Sequence, residues 1–88
     1  MYDMDDALYA ASVLNVSFTQ YTPQEFLEGI NIELEHGTVN PKTDVTNDDL
    51  ITTAKIALAH LNEYPNYYNL DYGLRNFERY LESKLKNE

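Results

Sequence analysis

Two helix-start signatures, each followed by apolar residues at helical spacing, constrain the fold of this chain most strongly. Thr22-Pro23-Gln24-Glu25 combines a capping box with a proline at the first helical position. Thr46-Asn47-Asp48-Asp49 also offers residue types that favour an N-cap. After both segments, apolar residues recur every three or four positions, which is typical of amphipathic helices. The sequence therefore predicts helices over about residues 23–36 and 47–64.

The two ends of the chain show the same periodicity. It predicts a helix over about residues 3–14, where Asp5 and Asp6 favour the helix N-terminus. It also predicts a helix over about residues 66–86, because Pro65 ends the preceding helix and is suited to start the next one.

Together these segments predict an all-α fold, a compact bundle of four helices in a single domain over residues 1–88. We expect residues 15–21 to be a connecting loop with buried apolar side chains. Gly37 is expected to end the second helix in a left-handed conformation. On the last helix, Arg75 and Glu78 have the spacing of a surface ion pair.

Composition excludes several function classes. Six Lys and Arg residues against 15 Asp and Glu residues leave a net charge of −9. Such a chain cannot present the basic surface that direct nucleic-acid binding or an anionic membrane requires. No apolar run approaches the roughly 20 residues of a membrane span, and the acidic N-terminus is unlike a signal peptide. We therefore expect a cytoplasmic protein, and its negative field favours a protein partner with a basic surface.

The two histidines of the chain end similar five-residue patterns, Ile32–His36 and Ile56–His60. Glu33 precedes the first histidine by three residues, and Glu63 follows the second by three. In a helix, side chains at this spacing lie on one flank. We expect the two helical faces to pack together and to form one candidate polar site from four residues: Glu33, His36, His60 and Glu63.

Three interpretations of this candidate site remain open. Each histidine lies near the end of its helix, where it interacts favourably with the helix dipole and has a structural role. The same residues are also candidate metal ligands, because Glu-x-x-His motifs bind metal in di-iron bundles. The third interpretation is a site for a partner or ligand. No nucleophile or phosphate loop is recognisable, so we expect neither an enzyme nor a cofactor.

Eight tyrosines in 88 residues suggest an aromatic surface. Tyr64, Tyr67, Tyr68 and Tyr72 crowd the turn before the last helix, and tyrosine is enriched at binding hot spots. These four residues form the candidate interface, and the alternative is a tyrosine-rich plug over the end of the core.

The stretch from Phe26 to Leu70 resembles a small uncharacterised domain family of bacteria and phages. The residues that carry the resemblance are Gly29, Glu33-Leu34-Glu35-His36-Gly37, Thr43-Asp44-Val45-Thr46, Asp48-Asp49, Lys55-Ile56-Ala57-Leu58-Ala59-His60-Leu61, Glu63, Pro65 and Tyr67-Tyr68. The family often has proline at the position of Leu50 and aspartate at that of Asn66. The resemblance implies a fold and a phage or mobile-element context, but no activity.

The leading functional hypothesis is a small acidic module that docks on a larger, basic host or virion protein. The alternatives are a metal-binding helical domain that uses His36, His60, Glu33 and Glu63, and a structural virion or accessory component. The oligomeric state is left open by the sequence.

Overall fold

The all-α fold with four helices is confirmed. The computed structural model describes residues 1–39, 42, 49–69 and 73–86. Within these residues it contains no strand and has four helices: α1 (Met4–Leu14), α2 (Pro23–Val39), α3 (Leu50–Glu63) and α4 (Leu74–Lys86).

Side-chain caps explain where the first two helices begin. The Asp3 carboxylate accepts a hydrogen bond from the Asp6 N–H at 2.9 Å, and the Asp6 carboxylate accepts one from the Asp3 N–H at 3.1 Å. The predicted capping box of α2 is confirmed: Thr22 Oγ1 accepts from the Glu25 N–H at 3.1 Å, and Glu25 Oε1 accepts from the Thr22 N–H at 3.0 Å. Both helices therefore start at residues that satisfy their free N–H groups.

The predicted C-cap at Gly37 is wrong. α2 continues through this glycine to Val39, and no described glycine has a positive φ. Glycine permits a left-handed cap without requiring one, and a helix interior tolerates it at a cost of about 1 kcal/mol. The described part of α2 reaches Val39, two positions before Pro41 in the sequence.

α3 begins later than predicted, because Asp49 is its N-cap. Asp49 Oδ2 accepts hydrogen bonds from the N–H and the hydroxyl of Thr52, at 2.9 and 2.8 Å. These bonds also lower the pKa of the Asp49 carboxyl, the backbone bond contributing most. Several neighbouring residues are suitable caps by type, so the sequence did not distinguish them. The predicted capping roles at 46–48 lie outside the described residues.

α4 begins at Leu74 and not at residue 66. The Tyr67 and Asn69 N–H groups donate to the carbonyls three residues earlier, which makes a tight turn after Pro65. Gly73 then passes so close to this turn that a Cβ there would lie 2.5 Å from the Asn69 nitrogen and oxygen. The turn therefore requires glycine at position 73 and delays the helix.

The core lies between α1, α2 and α3, with the most extensive packing between α2 and α3. Small side chains allow the helices to approach closely, and a few large ones fill the remaining space. The fully buried residues include Ala7, Ala10, Phe26, Ile30, Ala54, Ala57, Leu61 and Tyr68. The predicted connecting loop follows α1, with Tyr21 buried and Phe18 packed edge-on against it at 6.0 Å between ring centroids.

Among the described residues, the contacts of α4 with the three packed helices lie near its start. Leu74 packs against the core, Arg75 donates to Glu35 at 2.6 Å, and Glu78 lies 3.9 Å from His36. Arg75 therefore forms its ion pair with Glu35 of α2, and not with Glu78 of its own helix as the sequence spacing suggested. In the part of the chain that the structure describes, α4 does not pack lengthwise on another helix. None of the described helices is long and apolar enough to cross a membrane.

Candidate functional site

Three of the four predicted polar-site residues meet around the carboxylate of Glu33. His36, one turn further along α2, places Nδ1 at 3.6 Å from Glu33 Oε1. His60 on α3 places Nε2 at 3.8 Å from Glu33 Oε2. Both separations are longer than a hydrogen bond and lie within ion-pair distance when the imidazole is protonated. Because both histidines approach the Glu33 carboxylate, this residue is the centre of the site, and its side chain is only 10% exposed.

The Tyr68 hydroxyl supplies the hydrogen bond that holds this carboxylate. It donates to Glu33 Oε2 at 2.7 Å, and the tyrosine is 1% exposed. Burial, and then the bond to Glu33, raises the pKa of Tyr68 far above its usual value. We call Glu33, His36, His60 and Tyr68 the Glu33 cluster.

Aromatic contacts fix the next layer around the Glu33 cluster. The Tyr67 ring stacks on His60 with centroids 4.3 Å apart and planes within 3° of parallel. It also meets Tyr68 edge-on at 4.9 Å. Burial raises the pKa of the Tyr67 hydroxyl, and the negative charges of Glu33, Glu78 and Glu63 raise it further. The turn before α4 is thus anchored to α3 by the stack of Tyr67 on His60 and to α2 by the hydrogen bond from Tyr68 to Glu33.

Glu63 does not occupy the place predicted for it. It is exposed at the end of α3, and the carboxylate nearest to His60 is Glu33 from the neighbouring helix. The second carboxylate near the histidines is Glu78 of α4, which lies beside His36 Nε2. Its Oε1 atom is buried and accepts no hydrogen bond from the described residues. Sequence spacing within one helix could not identify a partner that comes from another helix.

The four candidate interface tyrosines have different environments. Tyr64 is 60% exposed, Tyr67 is half-buried and Tyr68 belongs to the core. Tyr72 lies outside the described residues. The alternative prediction, a tyrosine-rich plug over the end of the core, therefore describes Tyr68. Tyr64 and Tyr67 have exposed surface that a partner could contact.

An open apolar groove of about 470 Å³ lies beside these two tyrosines. We call it the tyrosine groove, and its lining consists of Tyr64, Asn66, Tyr67, Gly73, Leu74 and Phe77. Phe77 is 59% exposed, and neither histidine lines the groove. Tyr67 thus connects the Glu33 cluster, which it covers, with a surface that a partner can reach.

The described residues contain no group of three His, Cys, Asp or Glu side chains placed to hold a metal ion. His36 and His60 lie 3.6 and 3.8 Å from the two oxygens of Glu33, as ion-pair neighbours of that carboxylate. This arrangement gives the metal-binding interpretation no support.

We expect zinc or manganese to leave the melting temperature unchanged, because a metal that binds only the folded state would raise it by mass action. Thermal melts with and without added metal test this, with His36→Ala and His60→Ala as controls. A metal-dependent rise that disappears in both variants would restore the metal-binding interpretation.

The comparisons with known proteins identify a family. The model of the family described as "Protein of unknown function (DUF5661)" matches residues 7–78, and the chain therefore belongs to this family. The matched region includes the Glu33 cluster and the tyrosine groove and ends in the second turn of α4. No curated protein and no solved structure matches the chain.

Proposed function

We propose that this member of the DUF5661 family is a small protein-binding module that docks through its tyrosine groove. The observation that supports the proposal is an apolar groove with two exposed aromatic walls, Tyr64 and Phe77, beside the half-buried ring of Tyr67. Large exposed aromatic side chains next to a recess are typical of binding hot spots.

The base of the groove is preorganised for binding. Tyr67 is held by its stack on His60 and by the edge of Tyr68, which in turn is tied to Glu33. A side chain that is already ordered loses little conformational entropy when a partner covers it, so its contact area contributes more to affinity. In this proposal the Glu33 cluster is a positioning element for Tyr67, and the module binds without catalysis.

The net charge supports a partner with a basic surface. At −9, the chain attracts a positively charged protein over a distance of about one Debye length, roughly 8 Å at physiological salt. We expect charge to set the association rate and the aromatic contacts to set the dissociation rate. The family resemblance implies a phage or mobile-element context, and this supports the proposal that the partner is a larger host or virion protein.

The proposal predicts that Tyr64→Ala and Phe77→Ala weaken partner binding by about tenfold or more each, the usual effect of a hot-spot residue. The partner is first captured from a lysate of the source cells with the immobilised chain and purified. Affinities are then measured by surface plasmon resonance, with circular dichroism to verify that each variant is folded.

Tyr80→Ala is the matched control. Tyr80 is 56% exposed on the same helix as Phe77 but does not line the tyrosine groove. It should change the affinity less than about twofold. If Tyr80→Ala weakens binding as much as Phe77→Ala does, or if neither groove variant weakens it, the groove is not the docking surface.

A further inference from the structure

The last two turns of α4 leave an apolar stripe exposed. Leu81 is 46% exposed and Leu85 is 72% exposed, and they lie on one side of the helix at i, i+4 spacing. Neither residue lines the tyrosine groove, and both follow the region matched by the family model. In the described ranges no other helix packs along this stripe.

A second exposed apolar surface lies on α1. Leu8, Tyr9 and Val13 are 46%, 61% and 48% exposed on the side of α1 that faces away from its buried alanines. The helix contains no Lys or Arg, and Asp5 and Asp6 lie in its first turn. This outer face of α1 thus presents three apolar side chains, with the exposed Asp5 and Ser12 between Leu8 and Tyr9 on the helix surface.

The helices that bear the two surfaces carry opposite net charge, since α1 contains two aspartates and no Lys or Arg. α4 contains four of the six basic residues of the chain and only two of its 15 acidic residues, which gives it a charge of +2. The rest of the chain, with two basic and 13 acidic residues, carries −11. A second copy is therefore repelled at most orientations and attracted where α4 of one copy approaches the acidic helices of the other.

We propose that the chain self-associates, with the α4 stripe (Leu81 and Leu85) of one copy packed against the outer face of α1 (Leu8, Tyr9 and Val13) of a second copy. This contact buries apolar side chains that each monomer exposes and brings the basic helix to the acidic one. Pairing like with like, α4 on α4 or α1 on α1, would bring equal charges together. The interface uses none of the groove residues, so the inference goes beyond the proposed function.

Complementation between two variants tests this arrangement. Leu81→Ser removes one of the two leucines of the α4 stripe, and Leu8→Ser removes one of the three apolar side chains of the outer face of α1. Both positions are almost half exposed, so both variants should remain folded, as judged by circular dichroism. Tyr80→Ala, which changes an equally exposed α4 residue off the stripe, is the matched control.

Sedimentation velocity should show concentration-dependent self-association of the wild type and of Tyr80→Ala, up to about 1 mM protein. Each serine variant alone should have a dissociation constant at least about tenfold higher. An equimolar mixture of the two should recover a 1:1 complex, because the intact α4 stripe of Leu8→Ser binds the intact α1 face of Leu81→Ser.

Three results would overturn the inference. A wild type that remains monomeric over the whole concentration range excludes self-association and leaves the groove proposal unaffected. A wild type that associates while only one of the two serine variants loses association shows that like surfaces pair, and loss in both variants without recovery in the mixture also contradicts pairing of α4 with α1.

Discussion

Tyr68→Ala should lower the free energy of unfolding by about 4 kcal/mol, the usual cost of removing a fully buried aromatic side chain. The ring is 1% exposed, and its loss also leaves the Glu33 carboxylate, itself 10% exposed, without its hydroxyl donor. Small domains are stabilised by only about 5–15 kcal/mol, so this variant should be close to unfolding at ambient temperature. Urea denaturation followed by circular dichroism measures the change.

Tyr68→Phe removes the hydroxyl and keeps the ring, so it measures the contribution of the hydroxyl to stability alone. At neutral pH this variant should lose only about 1–2 kcal/mol, for the missing hydrogen bond to a charged group. Its response to alkali should also differ. The folded state raises the pKa of Tyr68 above the pKa of a tyrosine in the unfolded chain, about 10. The neutral hydroxyl therefore contributes its full stabilisation below pH 10, and the wild type loses stability as the pH rises above that value.

Above pH 10, the wild type should lose up to about 1.4 kcal/mol per pH unit through Tyr68, and Tyr68→Phe should show a shallower slope. Some slope should remain, since burial also raises the pKa of Tyr21 and Tyr67. Equal slopes for both proteins would show that Tyr68 ionises as readily in the folded state as in the unfolded one.

Gly29→Ala should lower the free energy of unfolding by about 2 kcal/mol, although alanine is the better helix former by about 1 kcal/mol. An added Cβ would lie 2.6 Å from Cε2 and 2.7 Å from Cδ2 of the Tyr68 ring. The ring cannot move away freely, because its hydroxyl is bonded to Glu33 and its edge packs against Tyr67.

Gln24→Ala, an exposed change on the same helix, is the control for Gly29→Ala, and it should change stability by less than about 0.5 kcal/mol. Denaturant midpoints of the two variants give the comparison. If Gly29→Ala proves as stable as the wild type or more so, then Tyr68 does not pack on the backbone of α2 as described.

Local signals were sufficient to predict much of the fold. The Thr22 and Glu25 capping box involves residues three positions apart, so their hydrogen bonds are readable without tertiary structure. The approach of Glu33, His36 and His60 was also predictable, because helical periodicity placed them on two faces that were expected to pack. The capping box and the Glu33–His36 pair lie within one turn of a helix, and the approach of His60 needed the further expectation that the two helical faces pack together.

Contacts between distant segments could not be predicted in the same way. The periodicity around residues 66–73 is compatible with a helix, and only the close passage of Gly73 over the backbone of Asn69 shows why none forms in its described part. The partnership of Glu78 with His36 and the bond from Tyr68 to Glu33 each join residues more than 30 positions apart. The sequence predicted Glu63 as the carboxylate beside His60 because the two residues are three positions apart. In the structure, the carboxylate beside His60 is Glu33 from α2.

Site-specific photocrosslinking tests most directly whether the tyrosine groove is a docking surface. A photoreactive benzoylphenylalanine replaces Phe77 in one sample and Tyr80 in another, and each chain is irradiated in a lysate of the source cells. We predict that position 77 crosslinks to a discrete protein, that excess wild-type chain suppresses the crosslink, and that excess Phe77→Ser chain does not. Absence of a specific crosslink at position 77, or equal crosslinking from position 80, would contradict the proposed docking surface.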